Sequence, residues 1–185
     1  DSMSGFATTG LGLVQDIDHI SYSCNFLRHL IMFIGGQGIV IIVLSFITGI
    51  TSGSYSLYIG EGREEKILPN LLQTARFIWF VSFVYLLLGS GALSMAMHQS
   101  GLPWVDAVFQ GTCIFMAGFD TGGFSPQAQN IMYYHSGFVE MACIMVMMWG
   151  ALSFTMHYAL WTGNKRAFFK DIEVRALFLS IIILF

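Results

Sequence analysis

The stretch FMAGFDTGGF, residues 115–124, decides how this chain is read, because glycines interrupt an apolar run there and because the chain carries the pattern twice. Residues 2–11 read SMSGFATTGL; laying Gly5 on Gly118 also matches Phe6 with Phe119, Thr8 with Thr121 and Gly10 with Gly123. Such self-similarity marks a repeated structural unit. Ahead of the second copy, WVDAVFQGTCIF (104–115) is mostly apolar and follows Pro103, a residue favoured at the first position of a helix. A helix over these residues is about 18 Å long at 1.5 Å per residue, and the hydrocarbon core of a bilayer is about 30 Å thick.

Composition gives the comparison with a bilayer its meaning. Of 185 residues, 55% are apolar and 10% charged, and the mean hydropathy is +0.68, far from the balance of a soluble domain. Residues 30–50 and 77–97 carry no formal charge, 141–161 carry only His157 as a titratable group near one end, and a fourth apolar run starts near Ala176 and continues to Phe185. Each of the first three is long enough to cross the hydrocarbon as a helix. Because the chain starts inside a motif and stops inside an apolar segment, it is read as part of a longer protein.

Seven of the eight basic residues fall in or beside two connections: Arg63, Lys66 and Arg76 in one, Lys165, Arg166, Lys170 and Arg175 in the other. The positive-inside rule makes both cytoplasmic and turns Asp16, Asp18, Asp120 and the two glycine motifs outward. With a net charge of -3 and no basic patch interleaved with aromatics, nucleic-acid binding is not expected. Cys24, Cys113 and Cys143 lack CxxC spacing, which argues against a disulfide framework or a zinc site.

Topology then constrains residues 98–132. If 77–97 runs outward and 141–161 returns, the stretch between begins and ends outside and cannot span. A half-length helix ending near Phe115, followed by glycine-containing backbone and a return, is a re-entrant pore loop, which lipid tolerates only when protein or a water-filled path surrounds it. Backbone carbonyls turned toward an axis replace the hydration shell of an ion without adding full charges, and glycine leaves no side chain in the way. Met116, Ala117, Gly118 and Phe119 line one strand of such a filter, and Met3, Ser4, Gly5 and Phe6 another. The negative end of the half-helix dipole favours a cation.

The ordered set SMSGFATTGL, FIGGQGIVIIVLS (33–45), FMAGFDTGGF, SFTMHYAL (153–160) and KDIEVRAL (170–177) resembles the Trk/Ktr/HKT superfamily of potassium transporters, and most closely its bacterial TrkH-like membrane subunits. The resemblance implies an all-α, multi-pass inner-membrane protein whose helix, pore loop and helix units repeat around a pseudo-fourfold pore. Residues 1–70 then hold the end of repeat one, 71–162 repeat two, and 163–185 the connection into repeat three. It also implies potassium as the transported substrate, no covalently bound cofactor, a homodimer, and a cytosolic nucleotide-binding regulatory subunit expected near residues 162–175. In this superfamily serine in place of a filter glycine goes with sodium passage; glycine at positions 5 and 118 favours potassium. The alternatives are a sodium-permeable relative and a non-conducting structural subunit.

Other residues carry blander readings. Gly35, Gly36 and Gly38 suit close helix contact better than a hinge. Asp120 is either a cation-concentrating charge at the pore mouth or a turn cap. Asp16 and Asp18 read as solvated loop charges, Glu140 as an interfacial carboxylate, and His157 as a hydrogen-bonded structural residue. His98, His135 and His157 sit near no HExxH, GxSxG or paired-carboxylate motif, so an intramembrane enzyme is not expected.

Overall fold

The computed structural model describes residues 1–38, 71–163, 174–176 and 179–180. Arg63, Lys66, Lys165, Arg166 and Lys170, most of the 30–50 span and most of the 163–185 segment lie outside the described residues. The elements are α1 (Ser2–Phe6), α2 (Tyr22–Gly36), α3 (Leu71–Gln99), α4 (Trp104–Phe119), a 3₁₀ turn (Asn130–Tyr134), α5 (Gly137–Gly150) and α6 (Phe154–Trp161). No strand occurs among the described residues.

Local chemistry sets several of these boundaries. The Ser21 hydroxyl caps α2 by accepting the Cys24 amide at 3.4 Å. Pro103 is the N-cap of α4, one position earlier than the sequence suggested, and Asp106 places a carboxylate in the first turn, where the helix dipole favours it. Within α3, Arg76–Gln99 is 24 residues of mean hydropathy 1.8, long and apolar enough to cross a membrane. Outward-facing Phe80, Phe83, Leu87 and Leu88 leave that helix with an uncovered apolar face, as expected where the surroundings are lipid.

Two expectations change. The short helix does not stop near Phe115 but runs to Phe119, so its 16 residues span about 24 Å. Enclosure explains the extension: α4 packs against both α3 and α5, and Ile114 to Phe119 are buried there. Gly111 lets Ser94 of α3 approach, and Gly89 admits the Phe115 ring.

The second change concerns 141–161, which is two helices joined by a break at Ala151–Ser153. His157 bridges the break. Its Nε2 donates to the Trp149 carbonyl at 3.1 Å, satisfying one acceptor that the end of α5 leaves open, while the Tyr85 hydroxyl lies 3.3 Å from Nδ1. The structural role expected for this histidine is the one it has.

Candidate functional site

Both copies of the glycine motif fold as the same helix ending. In the first, the amide of Thr9 donates to the Ser4 carbonyl and that of Thr8 to the Gly5 carbonyl, each at 2.9 Å. In the second, the Gly122 amide donates to Ala117 at 2.9 Å and the Thr121 amide to Gly118 at 3.3 Å. This pair of bonds is the Schellman arrangement, which requires the residue after the cap to be left-handed. Thr8 (φ 51°) and Thr121 (φ 53°) fill that position, although a β-branched side chain is strained there. Two residues on, Gly10 (φ 73°) and Gly123 (φ 80°) repeat the match.

The filter residues named from the sequence therefore lie in the last turns of α1 and α4 rather than in an unwound strand. The carbonyls of Ala117 and Gly118 accept amides of the turn; each carbonyl retains a second lone pair. Neither Gly5 nor Gly118 occupies the left-handed position. At Gly118 a Cβ would meet Val146 at 3.5 Å and Met147 at 3.8 Å, ordinary contact distances. Neither backbone conformation nor lack of space demands glycine at residue 118.

Surroundings distinguish the two copies. Met116, Ala117, Gly118 and Phe119 are all buried, enclosed by α3 and α5. In the first copy Gly5 is buried and Ser4 partly so, whereas Met3 and Phe6 are exposed.

The two endings converge. Thr8, Phe119, Asp120 and Thr121 line one cavity of about 250 Å³ together with Gly36, Gly150 and Phe154. The backbones also meet where Gly10 lies against the Gly122 carbonyl. Beyond the turn the chain runs back antiparallel to α2: Gly122 lies by Met32, Phe124 by His29 and Arg28, Pro126 by Asn25, and the Ala128 amide donates to Asp18 at 2.8 Å. Asp18 is thus an exposed loop charge that also links two loops. Asp16 stays exposed and pairs with His19 at 2.9 Å, which holds the His19 pKa above its usual value. Glu140 is exposed in the first turn of α5.

Asp120 lines this cavity. It caps α4 at the end away from the Ser100–Pro103 corner, lies against Gly36, and accepts a hydrogen bond from Gln37 Nε2 at 2.7 Å. The Ser82 hydroxyl in turn donates to Gln37 Oε1, so this polar chain ties α4, the end of α2 and α3 together. Gly35 and Gly36 are contact glycines, against Phe6 and Asp120 respectively.

Arg28, the one basic residue outside the two basic clusters of the sequence, has a role that sequence patterns did not reveal. It is buried in α2, donates from Nε to Asp1 Oδ2 at 2.9 Å, and holds its guanidinium 4.6 Å from the centre of the Phe124 ring. Asp1 Oδ1 also accepts the Leu13 amide at 2.6 Å, so the pair clamps the turn that follows the first motif. A basic residue inside an otherwise apolar helix was the available signal.

The described residues form a packed bundle of apolar helices in which two matched glycine-rich helix ends meet around one cavity. Over residues 1–185 the chain matches the family described as TrkH, cation transport protein, and it belongs to that family. It is 31% identical to an uncharacterized cation transporter of Methanocaldococcus jannaschii over 99% of this chain and 37% of that protein. It is 27% identical to the Trk system potassium uptake protein TrkH of Halomonas elongata over 97% of this chain and 36% of the relative. Against the Trk system potassium uptake protein TrkG of Escherichia coli the identity is 26%, over 95% of this chain and 36% of the relative. The chain spans little more than a third of the length of these relatives.

Proposed function

We propose that this chain contributes two of the filter elements of a potassium uptake protein in the cell membrane. The observation that carries the proposal is Gly118: it recurs as Gly5 at the same place in the same helix ending, yet at Gly118 itself neither strain nor crowding calls for glycine. A position without a side chain, next in sequence to the cavity-lining Phe119, suits a cation path. Met3, Ser4, Gly5 and Phe6 form one filter element and Met116, Ala117, Gly118 and Phe119 the other, their carbonyls replacing the hydration water of potassium. The C-terminal end of α4 adds partial negative charge at the cavity.

In this reading α4 and the segment returning along α2 form a re-entrant loop that enters and leaves from the outer side, one of four around a pseudo-fourfold axis. The protein is multi-pass, holds no covalent cofactor, forms a homodimer, and meets a cytosolic nucleotide-binding regulatory subunit near residues 162–175. Potassium is named because two of the relatives above bear that substrate in their names.

The test is Gly118→Ser in the full-length protein, for which the spacing around Gly118 leaves room. Uptake of potassium and sodium into proteoliposomes should shift toward sodium while the melting temperature stays near that of the parent. An unchanged ion preference would remove Gly118 from the filter.

A further inference from the structure

A Schellman ending fixes two carbonyls and leaves a third outside its bonds. In the motifs here the turn amides bond Ser4 and Gly5, and Ala117 and Gly118; the carbonyls of Phe6 and Phe119, last in their helices, lie outside this pair of bonds. In both copies that oxygen meets a glycine of the following helix. A Cβ at Gly35 of α2 would overlap the Phe6 carbonyl oxygen and carbon, and one at Gly150 of α5 would overlap those of Phe119. The two glycines occupy matched places, at the ends of the helices that follow the motifs.

We infer that Gly35 and Gly150 are positioning residues for the ion path: each lets a helix backbone lie against the Phe6 or Phe119 carbonyl and so fixes where that oxygen points. The inference rests on the filter assignment above. Contact of a glycine Cα with a carbonyl oxygen is weakly attractive. Its larger effect here is steric, since a methyl group cannot enter without turning the carbonyl or displacing the helix. Backbone supplies the oxygen in both cases, so no side-chain exchange at Phe6 or Phe119 relieves the overlap. Among the described residues Gly10 also lies against a backbone carbonyl, that of Gly122, but it stands outside a helix with φ 73°. A methyl group at Gly91 or Gly137 would meet nothing within 4 Å, and one at Gly36 would meet the Asp120 side chain.

The experiment uses the full-length protein in proteoliposomes, with Gly35→Ala and Gly150→Ala set beside Gly91→Ala and Gly137→Ala as controls. Potassium and sodium uptake, the KM for potassium and the melting temperature are measured for each. The controls should match the parent. Each test variant should lose potassium over sodium preference by roughly tenfold, the equivalent of about 1.4 kcal/mol and the scale of one displaced polar contact, with a raised KM for potassium. Lower maximal uptake at unchanged preference and KM would overturn the inference, as would failure of both test variants to assemble, which would assign these glycines to folding alone. If the parent protein moves neither cation, the filter assignment itself fails, a result separable from the others because it needs no variant.

Discussion

Arg28 and Asp1 offer the sharpest test of how the first motif is held. Their side chains are 7% and 15% exposed, so the pair is largely removed from solvent. Removing one member of such a pair leaves an uncompensated buried charge and costs about 3–5 kcal/mol, whereas replacing both by apolar groups is often close to neutral. The second repeat already has the apolar version: by the alignment of Gly5 with Gly118 and of Gly35 with Gly150, Asp1 corresponds to Ile114 and Arg28 to Cys143, both buried. Arg28→Met and Asp1→Ile should each destabilise by about 3–5 kcal/mol. The double variant should lose only about 0.5–1.5 kcal/mol, the net worth of the exposed hydrogen bond from the Leu13 amide. The coupling is thus several kcal/mol and favourable. Reversible unfolding of the full-length protein in mixed micelles, followed by circular dichroism, gives all four corners of the cycle. Single losses below about 1 kcal/mol, the range of exposed pairs, or a double loss equal to the sum of the singles, would refute the buried clamp.

Three further outcomes are expected. Thr121→Gly should raise the stability of the second helix ending by about 1 kcal/mol, because the left-handed conformation costs a side-chain-bearing residue about 1–2 kcal/mol; an unchanged or lower melting temperature would show that Thr121 is not strained. Gln37→Leu should cost about 1–3 kcal/mol by stripping partners from Asp120 and Ser82, and Ser82→Ala should cost less in that background than in the parent; equal costs in the two would sever the chain between them. Cysteines at Gln99 and Gln127, with Cys24, Cys113 and Cys143 replaced, should both react with an impermeant thiol reagent added outside. One labelled and one protected site would make residues 104–124 a full crossing and remove the basis of the loop.

The duplication was legible because it is written in residue identities: Gly5, Phe6, Thr8 and Gly10 recur in order. The long apolar helix from Arg76 was equally plain, since its signal is local and sustained. Where α4 ends was not legible. Glycine at 118 weakens a helix by about 1 kcal/mol, which argues locally for stopping early, and the enclosure by α3 and α5 that overrides it is a tertiary effect. The break after Gly150 was hidden in uniform hydropathy. Arg28 stood out only as the basic residue that belonged to neither cluster; its partner lies 27 residues away, beyond any local pattern. Asp120 could be read as mouth charge or cap, and its hydrogen bond to Gln37 was not legible, because Gln37 carries no charge and no motif.

The contact of Gly35 and Gly150 with the Phe6 and Phe119 carbonyls has a consequence for how such a protein can diverge. Registration of each helix ending against its neighbour is carried by main-chain atoms and by one vacancy, so it makes no demand on the chemistry of surrounding side chains. Ala7 stands where the second repeat has Asp120, Thr9 where it has Gly122, Arg28 where it has Cys143, and yet both endings keep the same bonds and the same left-handed threonine. Helix endings built this way are free to become electrically unlike one another, one held by an ion pair and the other set among uncharged buried side chains, while their backbone geometry stays the same.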